Sequence, residues 1–307
     1  MKRQLSISSA KPNLLVSFSG GETSAYMAQW LWNNRRDQFG EMVFVFANTG
    51  QENEETLVFV DKCSQHFGFP IVWVEAVVPE EYGVGTTFKE VDFESASRDG
   101  QPFEELIRKH GIPNRNAPIC TRELKQTPIS KYGKSLGWSE YYTAIGIRID
   151  EADRMNSKYK EKRLIYPLIT DNPSTKPKIN HWWSQQPFRL KLKGYQGNCK
   201  WCWKKSLPKL KQIAKENPSA FDFPERMEGQ YGNYLHPKRI EKMRAKGKEP
   251  VFPIRFFREN RSAKEIKELS LQPFKAPKDD SQDVNFQSTV FDGEDESCEV
   301  FSNCGDE

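Results

Sequence analysis

The 307-residue sequence lacks any long hydrophobic run. No apolar stretch is long enough to cross a bilayer, which excludes a membrane-spanning helix and argues against a membrane partner. The first residues, 1–6, also lack the apolar segment of a signal peptide, so we expect a cytoplasmic protein. Only 36% of the residues are hydrophobic and the mean hydropathy is -0.77, values that are typical of a soluble protein with an extensive polar surface.

Cysteine is scarce as well, with six residues in the chain. In a reducing compartment, so few thiols favour metal or thiol chemistry over structural disulfides. Cys199 and Cys202 have the spacing that lets two thiolates hold one metal centre. Cys120 precedes Thr-Arg and a lysine at the predicted start of a helix, where cations and the helix N-terminus would stabilise a thiolate. The alternative for a lone cysteine such as Cys120 is a small buried residue.

A Walker loop is absent, because no Gly-Lys-Ser/Thr follows the glycine-rich turn near the start of the chain. Instead, a short apolar strand leads through two adjacent glycines into a helix. The glycines let backbone N–H groups converge on an anion, and the helix N-terminus adds its own unpaired N–H groups. An ordinary strand-to-helix turn is the alternative. The predicted phosphate-binding residues are Ser17, Ser19, Gly20, Gly21, Thr23 and Ser24.

Strands and helices alternate from the start of the chain. Residues 42–47 and 71–75 are apolar runs typical of buried parallel strands, and residues 54–67 form an amphipathic helix between them. This alternation predicts an α/β fold with a doubly wound, mostly parallel sheet. Between residues 82 and 118 the alternation lapses, and we expect loops around one short helix, residues 102–110.

Ligands in such sheets bind beyond the carboxyl ends of the strands. The turn residues Asn48, Thr49 and Gly50 follow the second strand and are candidate nucleotide contacts, although a loop chosen only for its turn residues is also credible. Gly146 opens the loop after residues 141–145 on the same edge, and Arg148 follows it. Arg148 is predicted to face an anionic group, with an ion pair to Asp150 or Glu151 as the alternative.

Composition divides the chain into three regions. We expect a nucleotide-binding domain over residues 1–175, a helical, basic domain with the Cys-x-x-Cys over residues 176–274, and an acidic, disordered tail over residues 275–307. Basic residues concentrate between residues 189 and 215, which fits a face for a polyanion or, equally, a solvated helix face. Tryptophans in this region could stack on nucleic-acid bases, although tryptophan is more often a core residue.

The motifs quoted above resemble the PP-loop ATP pyrophosphatase superfamily. They are most similar to the phosphoadenosine phosphosulfate reductase-like proteins of phages and mobile elements, and more distantly to the ATPase of DNA phosphorothioation systems. The resemblance implies a fold like that of the adenine nucleotide alpha hydrolases, and ATP or a sulfated adenine nucleotide bound with Mg²⁺ at the loops after the first, second and later strands. It also implies catalytic roles for Cys120 and Arg148.

The same resemblance implies a 4Fe-4S cluster on Cys120, Cys199 and Cys202, with Ile119 in place of a fourth cysteine. A Zn²⁺ site made by Cys199, Cys202, Cys298 and Cys304 is the rival, and no metal is the third possibility. The reductase motif Glu-Cys-Gly is poorly matched by Cys304 and its neighbours.

The function implied is therefore an ATP pyrophosphatase that adenylates an acceptor and supports sulfur transfer, with DNA or RNA as the acceptor, a sulfur donor protein and a homodimer among the expected partners. The alternatives are a sulfonucleotide reductase and a non-catalytic nucleotide-sensing or nucleic-acid-binding module.

Overall fold

The structure is a computed structural model that describes residues 11–197 and 199–284. Cys298 and Cys304, which were candidate zinc ligands, lie outside the described residues. Within them, no helix is both long enough and apolar enough to span a membrane.

Six strands form one sheet in the order β4-β3-β2-β1-β5-β6. All neighbouring pairs are parallel except β3 with β4, which is antiparallel. The strands are β1 (Asn13–Phe18), β2 (Met42–Asn48), β3 (Ile71–Val77), β4 (Thr87–Val91), β5 (Tyr141–Ala144) and β6 (Leu164–Ile165). The predicted α/β fold with a mostly parallel sheet is confirmed.

Helices cover both faces of this sheet. They are α1 (Glu22–Arg35), α2 (Glu54–Phe67), α3 (Gln101–His110), α4 (Ile119–Thr121), α5 (Thr127–Ser135), α6 (Pro167–Thr170), α7 (Lys176–Ser184), α8 (Leu207–Glu216), α9 (Asp222–Tyr231), α10 (Pro237–Arg244) and α11 (Ala263–Ser270), with a π-helical turn, Arg122–Gln126, between α4 and α5. Successive β1 side chains point to opposite faces, so Leu14 packs with α1, α2 and α7 while Leu15 packs with α5. This two-sided burial is the reason that β1 and β2 consist almost entirely of apolar residues.

The strand order changes direction at β1. The chain moves from β1 to β2 to β3 on one side and then returns to place β5 on the other side of β1. The loops that follow β1 and β5 therefore meet at the point where the strand order reverses, and the crevice between such loops is where ligands bind in doubly wound sheets.

The prediction for residues 82–118 is partly wrong. The short helix is confirmed as α3, but β4, predicted as loop, is a strand that pairs with β3. Its side chains are mostly exposed, so it carries no apolar alternation that a sequence pattern could detect. It forms because the edge of β3 presents unpaired N–H and C=O groups that another strand can satisfy.

The segment with the Cys-x-x-Cys packs against one end of the sheet. Trp201 lies in a single hydrophobic cluster with Val78 after β3, with Phe103 and Leu106 of α3 and with Phe223 of α9. Further along the chain, the Nδ2 of Asn180 in α7 donates to the carbonyls of Asp280 and Asp283, at 3.0 and 2.7 Å. The regions expected as separate domains thus share contacts and one core.

Candidate functional site

The loop after β1 depends on a glycine at its sharpest point. Gly20 has φ +81°, and a Cβ at this position would lie 2.7 Å from Thr56 Cγ2 and 3.0 Å from Phe46 Cε2. The Ser24 hydroxyl closes the turn, because it accepts from the N–H of Ser19 at 3.1 Å and donates to the carbonyl of Gly21 at 2.9 Å. The turn is therefore held against β2 and α2 in one shape.

Helix α1 begins directly at this turn. The N–H of Ala25 donates to the carbonyl of Gly21 at 3.1 Å, so the amides before it have no carbonyl within the helix to bind. The carboxylate of Glu22 in this first turn forms a bidentate ion pair with Arg189, at 3.0 and 2.9 Å. Because Glu22 is neutralised in this way, the helix N-terminus remains suited to an anion.

The loop after β5 lies against the same helix N-terminus. A Cβ on Gly146 would lie 3.2 Å from Ser24 Cα, so glycine allows this close approach. Arg148 Nη1 is 3.4 Å from Thr23 Oγ1, while its guanidinium pairs with Asp150 at 3.0 Å and Glu151 at 3.3 Å. The ion-pair alternative for Arg148 is therefore observed, and Arg148 also reaches the loop before α1, while its role toward an anionic group stays a prediction.

Arg148 remains charged in this position. Burial acts to lower the pKa of its guanidinium, but the carboxylates of Glu151 and Asp150 outweigh burial and raise that pKa above its ordinary value. The crevice between β1 and β5 therefore combines a fixed cation with helix amides, which is an arrangement that binds phosphate groups.

The loop after β2 is buried and bound to other parts of the protein. Asn48 Nδ2 donates to Glu75 Oε1 at 2.6 Å and to the carbonyl of Ser97 at 2.8 Å. Thr49 is held by Glu52, whose carboxylate accepts from the Thr49 N–H at 2.9 Å and from its hydroxyl at 2.8 Å. Gly50 takes φ +76°, and its backbone packs closely against Gly100. These bonds fix the loop at the sheet edge beside the β1 loop.

The three cysteines predicted as ligands meet at one cavity. Cys120, Cys199 and Cys202 all line a space of about 20 Å³, which is room for one water-sized sphere. Thr49 and Lys125 line it as well. The Cys199 segment reaches this position because the carbonyl of Gln51 accepts from the Lys200 N–H at 2.9 Å, and the Gln51 side chain accepts from Trp201 Nε1 at 2.6 Å.

The cavity has the donor type of a metal centre but not its geometry. Three thiols are the right donors for zinc or an iron–sulfur cluster. Among residues 11–197 and 199–284, however, no group of three or more His, Cys, Asp or Glu side chains is arranged to hold a metal ion.

A buried carboxylate, Glu52, connects the thiol cavity to the loop after β2. Its side chain is 3% exposed, pairs with Lys125 Nζ at 3.6 Å and accepts from Cys199 Sγ at 3.9 Å. The Thr49 hydroxyl is 3.6 Å from the same sulfur. No local sequence pattern indicates this role for Glu52, because its partners are up to 147 residues away in the chain.

We expect Glu52→Gln to lower the free energy of unfolding by about 1–3 kcal/mol, because it removes charge-assisted bonds and leaves Lys125 in a buried position without that carboxylate. The double variant Glu52→Gln/Lys125→Met should recover part of this loss, since it also removes the cation. Urea unfolding of four proteins, the wild type, Glu52→Gln, Lys125→Met and the double variant, measures the coupling. Purely additive effects would contradict an energetic link between the two side chains.

The tryptophans of the basic region cannot stack on nucleic acid. Trp183 and Trp201 are fully buried and Trp203 is 3% exposed. Lys204 and Lys205 in the same region are also buried. The predicted polyanion face at residues 189–215 is therefore wrong in its aromatic part, because these rings fill the cores between the helices.

The similarity of this chain to known proteins extends over most of these elements. Residues 13–163 match the family described as phosphoadenosine phosphosulfate reductase domain. An uncharacterised nin region protein of Escherichia phage lambda is 34% identical over 206 residues, which are 66% of this chain and 69% of that protein. An uncharacterised protein of Methanocaldococcus jannaschii is 24% identical over 224 residues, which are 69% of this chain and 40% of that protein. The family match includes the loops after β1, β2 and β5 together with Cys120, and it ends before Cys199.

Proposed function

Because the chain belongs to the phosphoadenosine phosphosulfate reductase domain family, whose members are enzymes that bind adenine nucleotides, we propose that it activates an acceptor with ATP and supports sulfur transfer to it. The nucleotide binds in the crevice between β1 and β5. The sulfur is handled at the cavity of Cys120, Cys199 and Cys202.

The observation that carries this proposal is the approach of Arg148 to the start of α1. The guanidinium lies 3.4 Å from the Thr23 hydroxyl, so a phosphate bound by the amides of the Gly20–Gly21 turn also lies within reach of a positive charge. The low exposure of Arg148, whose side chain is 15% exposed, strengthens the attraction because little water screens it.

In the proposed reaction, an acceptor oxygen attacks the α-phosphorus of ATP. The bond from that phosphorus to the bridging oxygen breaks, and pyrophosphate leaves with the bonding electrons. The amides of the turn and Arg148 stabilise the charge that develops on the pyrophosphate, and Mg²⁺ bound with the nucleotide neutralises part of the phosphate charge. The acceptor then carries an AMP group.

The cavity thiols supply the second half of the reaction. A persulfide donor transfers its outer sulfur to the Cys120 thiolate and is left as a thiol. The outer sulfur of the Cys120 persulfide then attacks the activated acceptor, and AMP leaves. A second cavity thiol then attacks the Cys120 sulfur, which releases the acceptor thiolate and leaves a disulfide that a cellular dithiol reduces. If a cluster or zinc binds, Cys120, Cys199 and Cys202 are its protein ligands, and an iron with an open position supplies a site for sulfide.

Two measurements test this proposal. Release of pyrophosphate and AMP from ATP, dependent on an added nucleic acid and on polysulfide as the persulfide donor, supports it. Anaerobic purification with a count of iron, sulfide and zinc tests the metal centre, and a colourless, metal-free protein that still transfers sulfur removes the metal from the proposal. Binding of ATP with no turnover under any condition favours a non-catalytic nucleotide sensor instead.

The family match also favours a second candidate, sulfonucleotide reduction. A thiolate would then attack the sulfur of a sulfated adenine nucleotide, and the adenine nucleotide would leave. Thiol-dependent release of sulfite that is lost in Cys304→Ser identifies this reaction.

We expect Arg148→Ala to weaken ATP binding by about 10- to 100-fold, because it removes a charge-assisted contact and leaves the carboxylates of Asp150 and Glu151 to repel the phosphates. The matched control is Arg35→Ala, which removes a guanidinium at the other end of α1 that pairs with Asp171 at 2.9 Å. Calorimetric titration with ATP and Mg²⁺ measures the ATP affinity of both variants. Equal affinities for the two variants would contradict the position assigned to the phosphates.

A further inference from the structure

Helix α10 carries a concentration of positive charge on an open surface. None of its residues, all of which the structure describes, is buried. The segment of residues 237–249 contains six lysines and arginines against two glutamates. A helix with no buried side chain gains little from packing, so its basic composition is not explained by the fold.

Aromatic rings border this helix. Tyr82 and His236 stack with ring centroids 4.4 Å apart, and the Nζ atoms of Lys238 and Lys242 lie 5.5 and 5.4 Å from the centroid of Tyr82. His236 Nδ1 accepts from the Lys238 N–H at 3.2 Å and so caps the helix start. Tyr234, just before the cap, is 37% exposed. Cations and rings are thus fixed side by side.

The basic surface extends toward the thiol cavity. A Cβ on Gly111 would lie 3.5 Å from Arg239 Nη1, which places Arg239 at the end of α3. Arg239 is half-buried, and this partial loss of water contact lowers the pKa of its guanidinium, as does the nearby positive charge of Arg122. Arg122 is 60% exposed and stands two residues after Cys120, which lines the cavity.

We propose that the α10 surface, formed by Tyr82, Arg122, Tyr234, Lys238, Arg239 and Lys242, binds single-stranded nucleic acid and leads it to the thiol at Cys120. Cations repeated along a helix neutralise successive backbone phosphates, and the exposed ring of Tyr234 stacks on an unpaired base, while Tyr82 holds the lysines in place. An acidic peptide would use the cations but not the rings. The delivery to Cys120 rests on the proposed function, whereas the binding does not.

The test compares two double variants of the full chain. Lys238→Gln/Lys242→Gln removes charge from the α10 surface, and Lys158→Gln/Lys160→Gln removes the same charge from exposed positions near β6, at the opposite edge of the sheet. Fluorescence anisotropy with a labelled poly-dT oligonucleotide is measured at several salt concentrations. We expect the α10 variant, but not the control variant, to bind the oligonucleotide about ten-fold more weakly than the wild type. The slope of log K against log salt concentration should also be smaller in magnitude by about 1.4, which corresponds to two phosphate contacts on a single strand.

Tyr234→Ser separates stacking from charge. We expect it to weaken binding at least about five-fold with no change in the salt slope, because it removes a ring and not a cation. No binding of the oligonucleotide by the wild-type protein at low salt, equal losses in the two lysine variants, or tighter binding of a duplex of the same length would each overturn the proposal.

ATP titration of the same proteins distinguishes the two proposals. If the oligonucleotide binds at α10 while ATP does not bind, the surface is upheld and the proposed adenylation fails. If ATP binds to all of these proteins with the same affinity, but none of them, the wild type included, binds the oligonucleotide, the nucleotide site is supported. The proposal for the α10 surface then fails.

Discussion

Gly20→Ala is expected to abolish ATP binding and to lower the free energy of unfolding by about 2–5 kcal/mol. The added Cβ would meet Thr56 Cγ2 at 2.7 Å and Phe46 Cε2 at 3.0 Å, and the backbone at φ +81° disfavours any residue with a Cβ. Phe46 is fixed by its pairing in β2, so the turn must move instead. A displaced turn no longer directs its amides at one phosphate, and we expect ATP affinity to fall at least about 100-fold.

Gly137→Ala is the matched control for the backbone. Gly137 has a similar φ of +74°, but an added Cβ would meet no atom within 4 Å. We expect Gly137→Ala to lower the free energy of unfolding by about 1 kcal/mol and to leave ATP affinity unchanged. Thermal unfolding and calorimetric titration of the wild type, Gly20→Ala and Gly137→Ala measure both effects. Wild-type ATP affinity in Gly20→Ala would contradict a phosphate site at this turn.

Cys199→Ala is expected to lower sulfur transfer at least about 1000-fold while ATP affinity stays within about two-fold of the wild type. The Cys199 sulfur lies 3.6 Å from the Thr49 hydroxyl and 3.9 Å from the Glu52 carboxylate, so it is the thiol that links the cavity to the loop after β2. AMP formation over many turnovers from ATP, polysulfide, a dithiol and a single-stranded oligonucleotide, with chromatography of the sulfur-bearing product, measures the loss.

Cys63→Ala is the matched control. Cys63 is a thiol of α2 in the core beneath the sheet, and burial raises its pKa well above the ordinary value, so it remains protonated and unreactive. Its removal should lower stability by about 1 kcal/mol and leave AMP formation intact. Equal losses in Cys199→Ala and Cys63→Ala, or no loss in either, would show that the cavity is not the site of sulfur chemistry.

Local features of the sequence were enough to predict most of the elements around β1. Helix α2 begins and ends where its apolar spacing predicts, and the strands around β1 follow their apolar runs. The turn at Gly20 was predicted from its glycines, because only a residue without a Cβ fits the conformation and the close contact found there. Strand β4 was missed because an exposed edge strand has no apolar pattern.

Contacts between distant residues had to come from the structure. The position of Cys199 beside Thr49, 150 residues earlier, depends on how the Cys-x-x-Cys segment packs on the end of the sheet. The burial of Trp183 and Trp201 also depends on how distant segments pack together. Because both rings are buried, they do not form the aromatic surface that the neighbouring basic residues suggested.

The sequence by itself determined the parallel strands around β1, the turn after β1 and which cysteines are candidate ligands. Periodicity, turn chemistry and residue type act over a few neighbouring residues, so a local pattern is enough to indicate these features. Only the tertiary structure decided that the cysteines share one cavity, that Glu52 connects it to the loop after β2, and that the open basic surface is α10. These features depend on which apolar faces pack together, and local residue patterns do not specify that pairing.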